Sequence, residues 1–353
     1  MADLTGLFIT NVKNRAEDMY AEKFEGLARN PVISETAKAV IANQYATRAQ
    51  ELLQASPTDN VDVVWESDDD LGTQDCTSDC VLTGVPANGN TLNISAPKCI
   101  EGKGFLVSEE TARRTGRTLA DETSFLLARQ LIKMDNAVNA YTLAQLAAKS
   151  DAAITGSLPS YATQAAGVIT VPNAQWNLQM YADFMLSFVK NRMGQPYVID
   201  NGALYTFIRN AQLNQGNLDG AGNANRAAGF NPYEDILGFP DAGLTTVDDF
   251  VIKSGAVALF HKYYNGQRQA DGTTSLAPNY IGGQVNQWRT AIASPSIPGL
   301  MYDMFSTVNC ADLVGSSHSN ISHVHKLKAN IGVFKAPGVG AARPGILALK
   351  RGI

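Results

Sequence analysis

The sequence predicts an α+β chain in which helical and strand-forming residues come in successive blocks. Three observations carry this. Residues 1–56 are amphipathic at helical spacing, a strand-like acidic arm at 61–107 runs into a long helical stretch at 109–149, and strand-like alternation returns towards the C-terminus. The arm is the most informative block. It alternates in short runs (Val61-Asp62-Val63, Thr91-Leu92-Asn93-Ile94-Ser95 and Phe105-Leu106-Val107) but has no core to bury against within itself. An isolated two-stranded hairpin is marginal in water, so something outside the arm must supply a surface. The arm therefore points to assembly before it points to catalysis.

Composition narrows the classes. At 353 residues the chain can bury a substantial core. Its net charge of -5 argues against a dedicated nucleic-acid binder, which carries a clear positive excess. No apolar run approaches the ~18 residues that span a bilayer, so no membrane partner is expected. The opening Met1-Ala2-Asp3-Leu4 lacks the basic and apolar regions of a signal peptide, and the expected compartment is a cytoplasm. Four cysteines, Cys76, Cys80, Cys99 and Cys310, are no disulfide framework for this length.

Each block has local reasons. In the first, Leu7, Phe8, Val12, Met19 and Phe24 precede the breaker Pro31. A second helix is expected through Val40, Ile41, Tyr45 and Leu52-Leu53, closed by Ser56-Pro57. No Lys or Arg lies between Arg48 and Lys98, and the tip Gly84-Val85-Pro86-Ala87-Asn88-Gly89-Asn90 reads as turns. Ser108 is the N-cap expected for 109–149, with Glu109 and Glu110 in the first turn. Gly116 is the only breaker there, and one helix of that length would be ~60 Å long, a strut across a flat molecule. A further amphipathic helix is predicted at 173–193. Gln195-Pro196-Tyr197-Val198-Ile199-Asp200 reads as a short buried strand leading to a helix at 202–213, and 214–230 and 265–284 as mobile loops. After Asp312 there is no acidic residue, so an acidic arm is matched by a basic C-terminal stretch.

Candidate chemistry is sparse. His318, His323 and His325 form an H-x4-H-x-H cluster, and on a strand His323 and His325 share a face from which two imidazoles could hold a divalent metal. The bland alternative is a set of polar residues on a solvated strand or turn. Cys76, Cys80 and Cys99 supply only three thiols where a structural zinc site takes four ligands; neutral thiols are the default, and a late cross-link between subunits is the sharper reading. Asp68-Asp69-Asp70 lacks an EF-hand frame and reads as a docking patch, with Arg113, Arg114 and Arg117 of another subunit as the matching cations. There is no P-loop, no G-x-S-x-G and no H-E-x-x-H. No enzyme, no cofactor and no catalytic residue is expected.

In this order the blocks resemble the HK97-type major capsid protein of tailed bacteriophages. Gln195 to Asp200 resembles the first A-domain strand of that family. Gly255-Ala256-Val257-Ala258-Leu259-Phe260 resembles a strand common in such shells, and Trp288 to Cys310, with Pro298-Gly299-Leu300-Met301-Tyr302-Asp303, the strand pair returning to the P-domain. The resemblance implies an N-terminal arm at 1–56, an E-loop hairpin at 57–107, the spine helix and first part of the P-domain at 108–194, an A-domain with return strands at 195–315 and the C-terminal part of the P-domain at 316–353. It implies a structural protein whose hexamers and pentamers tile an icosahedral virion shell around double-stranded DNA, assembled in the host bacterial cytoplasm. An acidic wall suits DNA packed by a motor without sequence specificity. Scaffolding, portal and decoration proteins are the further partners, and because the chain opens at the arm, any scaffold is expected to be a separate protein or already removed. Lys98 and Lys103 lie in the returning strand, but no Asn partner or catalytic Glu is identified for a cross-link. Two other readings stay open: an encapsulin-like nanocompartment shell, and a cytosolic metal-dependent enzyme using His318, His323 and His325.

Overall fold

The amphipathic spacing of the first block produces three helices, α1 (Ala2–Ala21), α2 (Glu35–Asn43) and α3 (Thr47–Ala55). The computed structural model describes residues 2–21, 32–45, 47–65, 90–151, 158–165, 167–190, 193–194, 196–203, 231–263, 267–268, 274–275, 279–280, 287–312, 319–336 and 345–352. The run from Val40 to Leu53, expected as one helix, is two, because the chain turns extended at Gln44 (φ -86°, ψ 146°). Next come β1 (Asn60–Trp65) and β2 (Asn90–Ser95), paired antiparallel from Asn60↔Ser95 to Trp65↔Asn90. They are followed by β3 (Lys98–Glu101) and β4 (Phe105–Ser108).

The single helix expected at 109–149 is likewise divided, into α4 (Glu109–Thr115) and α5 (Leu119–Ala148). Gly116 takes a left-handed φ of 69°, a conformation that glycine adopts without penalty and that commonly ends a helix. The Arg117 N–H reaches back to the Ala112 carbonyl at 3.1 Å. Thr118 then restarts the helix, its side chain accepting the Asp121 N–H at 3.1 Å. The 30 residues of α5 make a rod ~45 Å long. Its C-terminal carbonyls meet a cation: Lys335 donates to Lys149 O at 3.0 Å and also pairs with Asp151.

The rest of the chain is strand-rich. It runs β5 (Thr163–Ala165), β6 (Val168–Val171), α6 (Leu178–Lys190), β7 (Pro196–Asp200), β8 (Asn231–Glu234), β9 (Asp249–Lys253) and β10 (Val257–Lys262). Two-residue strands β11 (Gln267–Arg268), β12 (Thr274–Ser275) and β13 (Asn279–Tyr280) lead to β14 (Gln287–Ala293), β15 (Met301–Asp312), β16 (Ser319–Lys335) and β17 (Ile346–Arg351). Among the described residues these build two larger sheets. One has the order β10-β16-β15-β14-β13, with β3 and β4 also paired to β16; the other is β5-β6-β17-β9-β7-β8.

β16 organises the first sheet. Its odd-numbered positions from His323 to Val333 are buried and the even ones from Ser322 to Asn330 half-buried, the period of two that puts one face on a core. That core is shared with α5 through Leu127, Leu131, Met134 and Val138. The central strands β7 and β9 of the second sheet are buried on both faces, as the apolar run at 196–199 predicts; every residue of β7 is buried. On one face Val198, Val251, Leu347 and Leu349 pack against Trp176, Met180, Phe184 and Phe188 of α6 and the turn before it. On the other, Tyr197, Ile199, Phe250 and Ile252 join the core that contains α2 and α5. Residues 195–315 thus supply strands to both sheets, and the C-terminal stretch divides too, with β16 in one and β17 in the other. The expected helix at 202–213 and loop at 214–230 lie outside the described residues from 204 onwards.

Buried side chains tie the helices to these sheets. Ser34 does not cap α2, so the N–H groups at its start need other acceptors. Asp235 takes the Thr36 N–H at 3.2 Å and its hydroxyl at 2.5 Å, and Asn139 of α5 takes the Ala37 N–H at 2.9 Å. Asp235 also accepts from Asn139 Nδ2 at 2.7 Å and from the Gly238 N–H at 3.1 Å, so α2, α5 and the chain after β8 meet at one carboxylate.

Candidate assembly surface

The β1–β2 hairpin is a two-stranded sheet that joins neither larger one. Its base is held in detail. The Ala96 N–H donates to Asp59 O at 2.9 Å, Ser56 Oγ donates to Asn60 O at 2.8 Å, and Asn93 Nδ2 donates to Asp62 Oδ1 at 2.7 Å across the strands. Lys262 Nζ donates to Ser56 O at 2.9 Å and to Thr58 O, and stands 3.5 Å from the Asp59 carboxylate.

Two sequence expectations change here. The arm was expected to have no core within itself and to take its surface from a neighbouring subunit. Its base takes one from its own chain: Ile94 and Ala96 are buried with Ala49 and Leu53 of α3 and Ala258 and Phe260 of β10, and Val61, Val63 and Phe334 pack around them. Phe105-Leu106-Val107 was expected to belong to the arm. It is β4, paired with His325, Val324 and His323 in the large sheet. Both corrections have one cause: β16 is long enough to offer pairing sites to β4, β3 and β10 in succession.

The seat beneath the hairpin depends on residues that sequence reasoning passed over. Gln44, Gln50 and Gln54 lie along β10. Gln44 Oε1 accepts the Leu259 N–H at 2.9 Å. Gln50 accepts the His261 N–H at 3.1 Å and donates to His261 O at 2.6 Å. Gln54 repeats this at Tyr263, at 3.3 and 2.6 Å. A primary amide carries the same donor and acceptor as a peptide group, so these side chains satisfy alternate residues of β10 as a neighbouring strand would. They also block that edge against another chain. The four-residue spacing of Gln50 and Gln54 on one helix face is visible in the sequence, but its strand partner is not. Gly332 of β16 is the other key position: an added Cβ would stand 2.0 Å from Ser95 O, so the absence of a side chain lets β2 leave across the sheet.

The predicted site residues fall out unevenly. Asp68, Asp69 and Asp70 lie outside the described residues, as do Cys76, Cys80 and His318. Arg114 pairs with Glu110 on its own helix. Arg117 pairs with Glu122 at 3.1 Å and lies 4.3 Å over the Phe125 ring. Arg113 is exposed and has no acidic partner among the described residues. The basic C-terminal stretch is partly occupied within the chain, because Lys326 pairs with Glu101 and Lys335 with Asp151.

His323 and His325 do share a face of β16, but it is the inward one. Their rings stack at 6.0 Å, and the Phe105 ring lies 5.3 Å from that of His325. His325 Nδ1 is 2.8 Å from Ser306 Oγ. Burial pushes the His325 pKa down to about 3, helped by His323. Burial also lowers the pKa of His323, against the pull of Glu109. These are neutral imidazoles in a packed interior, and the expected solvated strand is corrected accordingly. Among the described residues no group of three or more His, Cys, Asp or Glu side chains is placed to hold a metal. Cys99 is an exposed free thiol on β3, and Cys310 stands opposite Ile321 in the β15–β16 register.

Large apolar side chains remain in solvent around this frame. Tyr45, 79% exposed, follows α2, Leu52 lies on α3, Leu106 on β4 and Val189 on α6, and Ile236 and Leu237 follow β8. No helix among the described residues is long and apolar enough to cross a membrane.

Several solved structures are similar to this chain over most of its length. One, titled Mycobacterium phage Che8, is 13% identical over 89% of this chain and 90% of that chain, with a TM-score of 0.42. The capsid structure of the cyanophage P-SCSP1u is 12% identical over 84% of each chain, with a TM-score of 0.45. The capsid of a native GTA particle is 12% identical over 86% of this chain and 91% of that one, with a TM-score of 0.44. No family profile matches the chain, and no curated protein does.

Proposed function

We propose that this chain is a structural protein, the major capsid protein of a tailed bacteriophage of the HK97 type. In this reading its copies assemble as hexamers and pentamers into an icosahedral shell around double-stranded DNA, in the cytoplasm of a bacterial host. The observation that carries the reading is the hairpin. Among the described residues its buried side chains lie at its base, on α3 and β10, and in sequence β1 and β2 flank the acidic segment 66–89. A two-stranded ribbon of this kind is marginal alone, and a second copy of the chain supplies the missing surface. Two features support the same reading: the hairpin leads through two short strands and the short helix α4 into the long rod α5, and large apolar side chains are left in solvent on several elements.

The parts then take the roles of an N-terminal arm (1–56), an E-loop (57–107), a spine helix opening a P-domain (108–194), an A-domain with return strands (195–315) and the closing P-domain segment (316–353). Asp68, Asp69 and Asp70 dock on cations of a neighbouring copy. Arg113 is the best placed of the three candidate arginines, since Arg114 and Arg117 already have acidic partners. Single surface ion pairs contribute ~0–1 kcal/mol, so the acidic triplet acts as a group and its contact weakens with salt. Scaffolding, portal and decoration proteins complete the assembly, and the shell holds DNA without reading its sequence. No catalytic step or cofactor enters this function.

The test is electron microscopy of the expressed chain, with and without the triple reversal Asp68→Lys, Asp69→Lys, Asp70→Lys. Uniform shells or capsomers are expected from the wild type, and fewer from the reversal, whose thermal unfolding should match the wild type. A monomer at every concentration and salt would overturn the reading. Normal shells from the triple variant would overturn the electrostatic part alone.

A further inference from the structure

The inward face of α5 carries a carboxylate for which shell assembly has no evident use. Asp135 is fully buried, and four hydroxyls point at it. Tyr20 of α1 donates to Oδ2 at 2.9 Å, and Ser296 donates to the same oxygen at 2.5 Å. Ser294 donates to Oδ1 at 2.7 Å, and Tyr302 of β15 donates to it too. Ser294 Oγ meanwhile accepts the Ile297 N–H at 2.9 Å, so its own proton is free for the carboxylate. Three stretches of chain, namely α1, the turn between β14 and β15, and β15 itself, converge on one side chain of the rod.

No cation is among these groups. The titratable groups facing Asp135 are Tyr20 from α1 and Tyr302 from β15. The cations of α1 and β14 are engaged elsewhere. Lys13 of α1 donates to Ala291 O and feels Glu17, Arg15 pairs with Asp121 of α5 at 2.5 Å, and Arg289 of β14 pairs with Asp303 of β15. An ionised carboxylate buried without a cation is held at a cost that hydroxyl donors offset only in part. Burial accordingly pushes the Asp135 carboxyl above its ordinary range, and the four hydroxyls pull it partly back.

From residue 11 onwards α1 buries only the small side chains of Val12 and Ala16, with Met19 and Tyr20 packed half-buried against the same core, and its polar ties there are those of Lys13, Arg15 and the Tyr20 hydroxyl. We propose that Asp135 and its four hydroxyls form a proton-linked latch for α1, tight while the carboxyl holds its proton and looser once it ionises. The sign follows from burial. Opening α1 returns Asp135 to water, where the ionised form is solvated, so loss of the proton favours the open state. The closed state is most favoured below the ordinary carboxylate range and weakens as pH rises through the buried group's own pKa, by at most tenfold in the opening equilibrium per pH unit. The inference stands apart from the capsid reading, because it concerns one chain.

Hydrogen exchange of dispersed wild-type chain, corrected for intrinsic rates and read from about pH 4 to 8, tests it. Opening of α1 should rise with pH, while α2, whose start is held by Asp235, serves as the internal reference. Asp135→Asn should flatten the α1 profile, and Ser296→Ala, which removes one donor to the ionised form, should raise opening at high pH and leave it unchanged at low pH. A flat wild-type profile, a slope that survives in Asp135→Asn, or a Ser296→Ala profile that coincides with the wild type would each overturn the latch. If Asp135→Asn does not fold, the wild-type and Ser296→Ala profiles decide.

Discussion

Gly332→Ala places the largest structural demand on a single methyl group. The new Cβ would lie 2.0 Å from Ser95 O, 3.1 Å from Ser95 C and 3.2 Å from Ala96 Cα, all backbone atoms that no rotamer change can move. Even a close C···O contact needs ~3.3 Å, so the base of the hairpin must shift by about 1.3 Å. Overpacking of this kind costs about 1–3 kcal/mol. The shift also lifts Ile94 and Ala96 from Leu53 and Phe260 and strains the Ala96-to-Asp59 hydrogen bond, which adds about 1 kcal/mol. The expected loss is therefore about 2–4 kcal/mol, although alanine in place of glycine within a strand would otherwise help by ~0.5–1 kcal/mol. Urea unfolding gives the magnitude, and hydrogen exchange in β1 and β2 gives the location. Gly116→Ala is the control: its φ is left-handed but nothing stands within 4 Å, so it should cost ~1–2 kcal/mol and leave hairpin exchange unchanged. Wild-type stability with undiminished hairpin protection in Gly332→Ala would refute the close crossing of β2 over β16.

Two further outcomes follow from buried polar groups. Asp235→Ala leaves Thr36 and Asn139 without their acceptor, while the Gly238 N–H keeps the carbonyl of residue 235 at 3.2 Å, and should cost about 3–5 kcal/mol in urea unfolding; a loss below about 1 kcal/mol would show that the start of α2 finds other partners. His261 and His325 have pKa values pushed down by burial to about 4 and about 3, so the unfolded chain takes up their protons first. Stability from these groups is complete above about pH 6.5 and falls by up to ~1.4 kcal/mol per pH unit for each histidine as pH drops towards those values. The difference between wild-type and His325→Asn unfolding midpoints across that range isolates the His325 share, and parallel profiles would sink the assignment. The Asp135 latch works in the opposite sense, gaining on acidification, so the two contributions separate by sign.

Much of the frame is legible in the residues. Amphipathic spacing marks α1 and the α2–α3 stretch, and the alternation at Thr91 to Ser95 marks β2. The apolar run at Pro196 to Ile199 announces a strand buried on both faces, and the block order is that of an α+β chain with a projecting arm. Breaks inside helices were harder. Gly116 stood out as a breaker, but whether it ends a helix or is carried through it depends on what the flanking turns pack against.

The candidate site was less legible, because its anchors are pairs of residues far apart in sequence. The glutamines along β10, Gly332 under Ser95, and Asp235 at the start of α2 each look ordinary until the partner is in place. His323 and His325 show the same limit in reverse. Period two correctly puts them on one face, but only the packing of Phe105 and Ser306 makes that face the inside. By itself, then, the sequence determined the periodic elements, their order and the imbalance of charge along the chain, since these depend on neighbours within a few residues. The tertiary structure alone decided which faces are buried, where the hairpin is seated and which carboxylates lie out of water, because burial and hydrogen-bond partners are set by residues about 100 to 200 positions away along the chain.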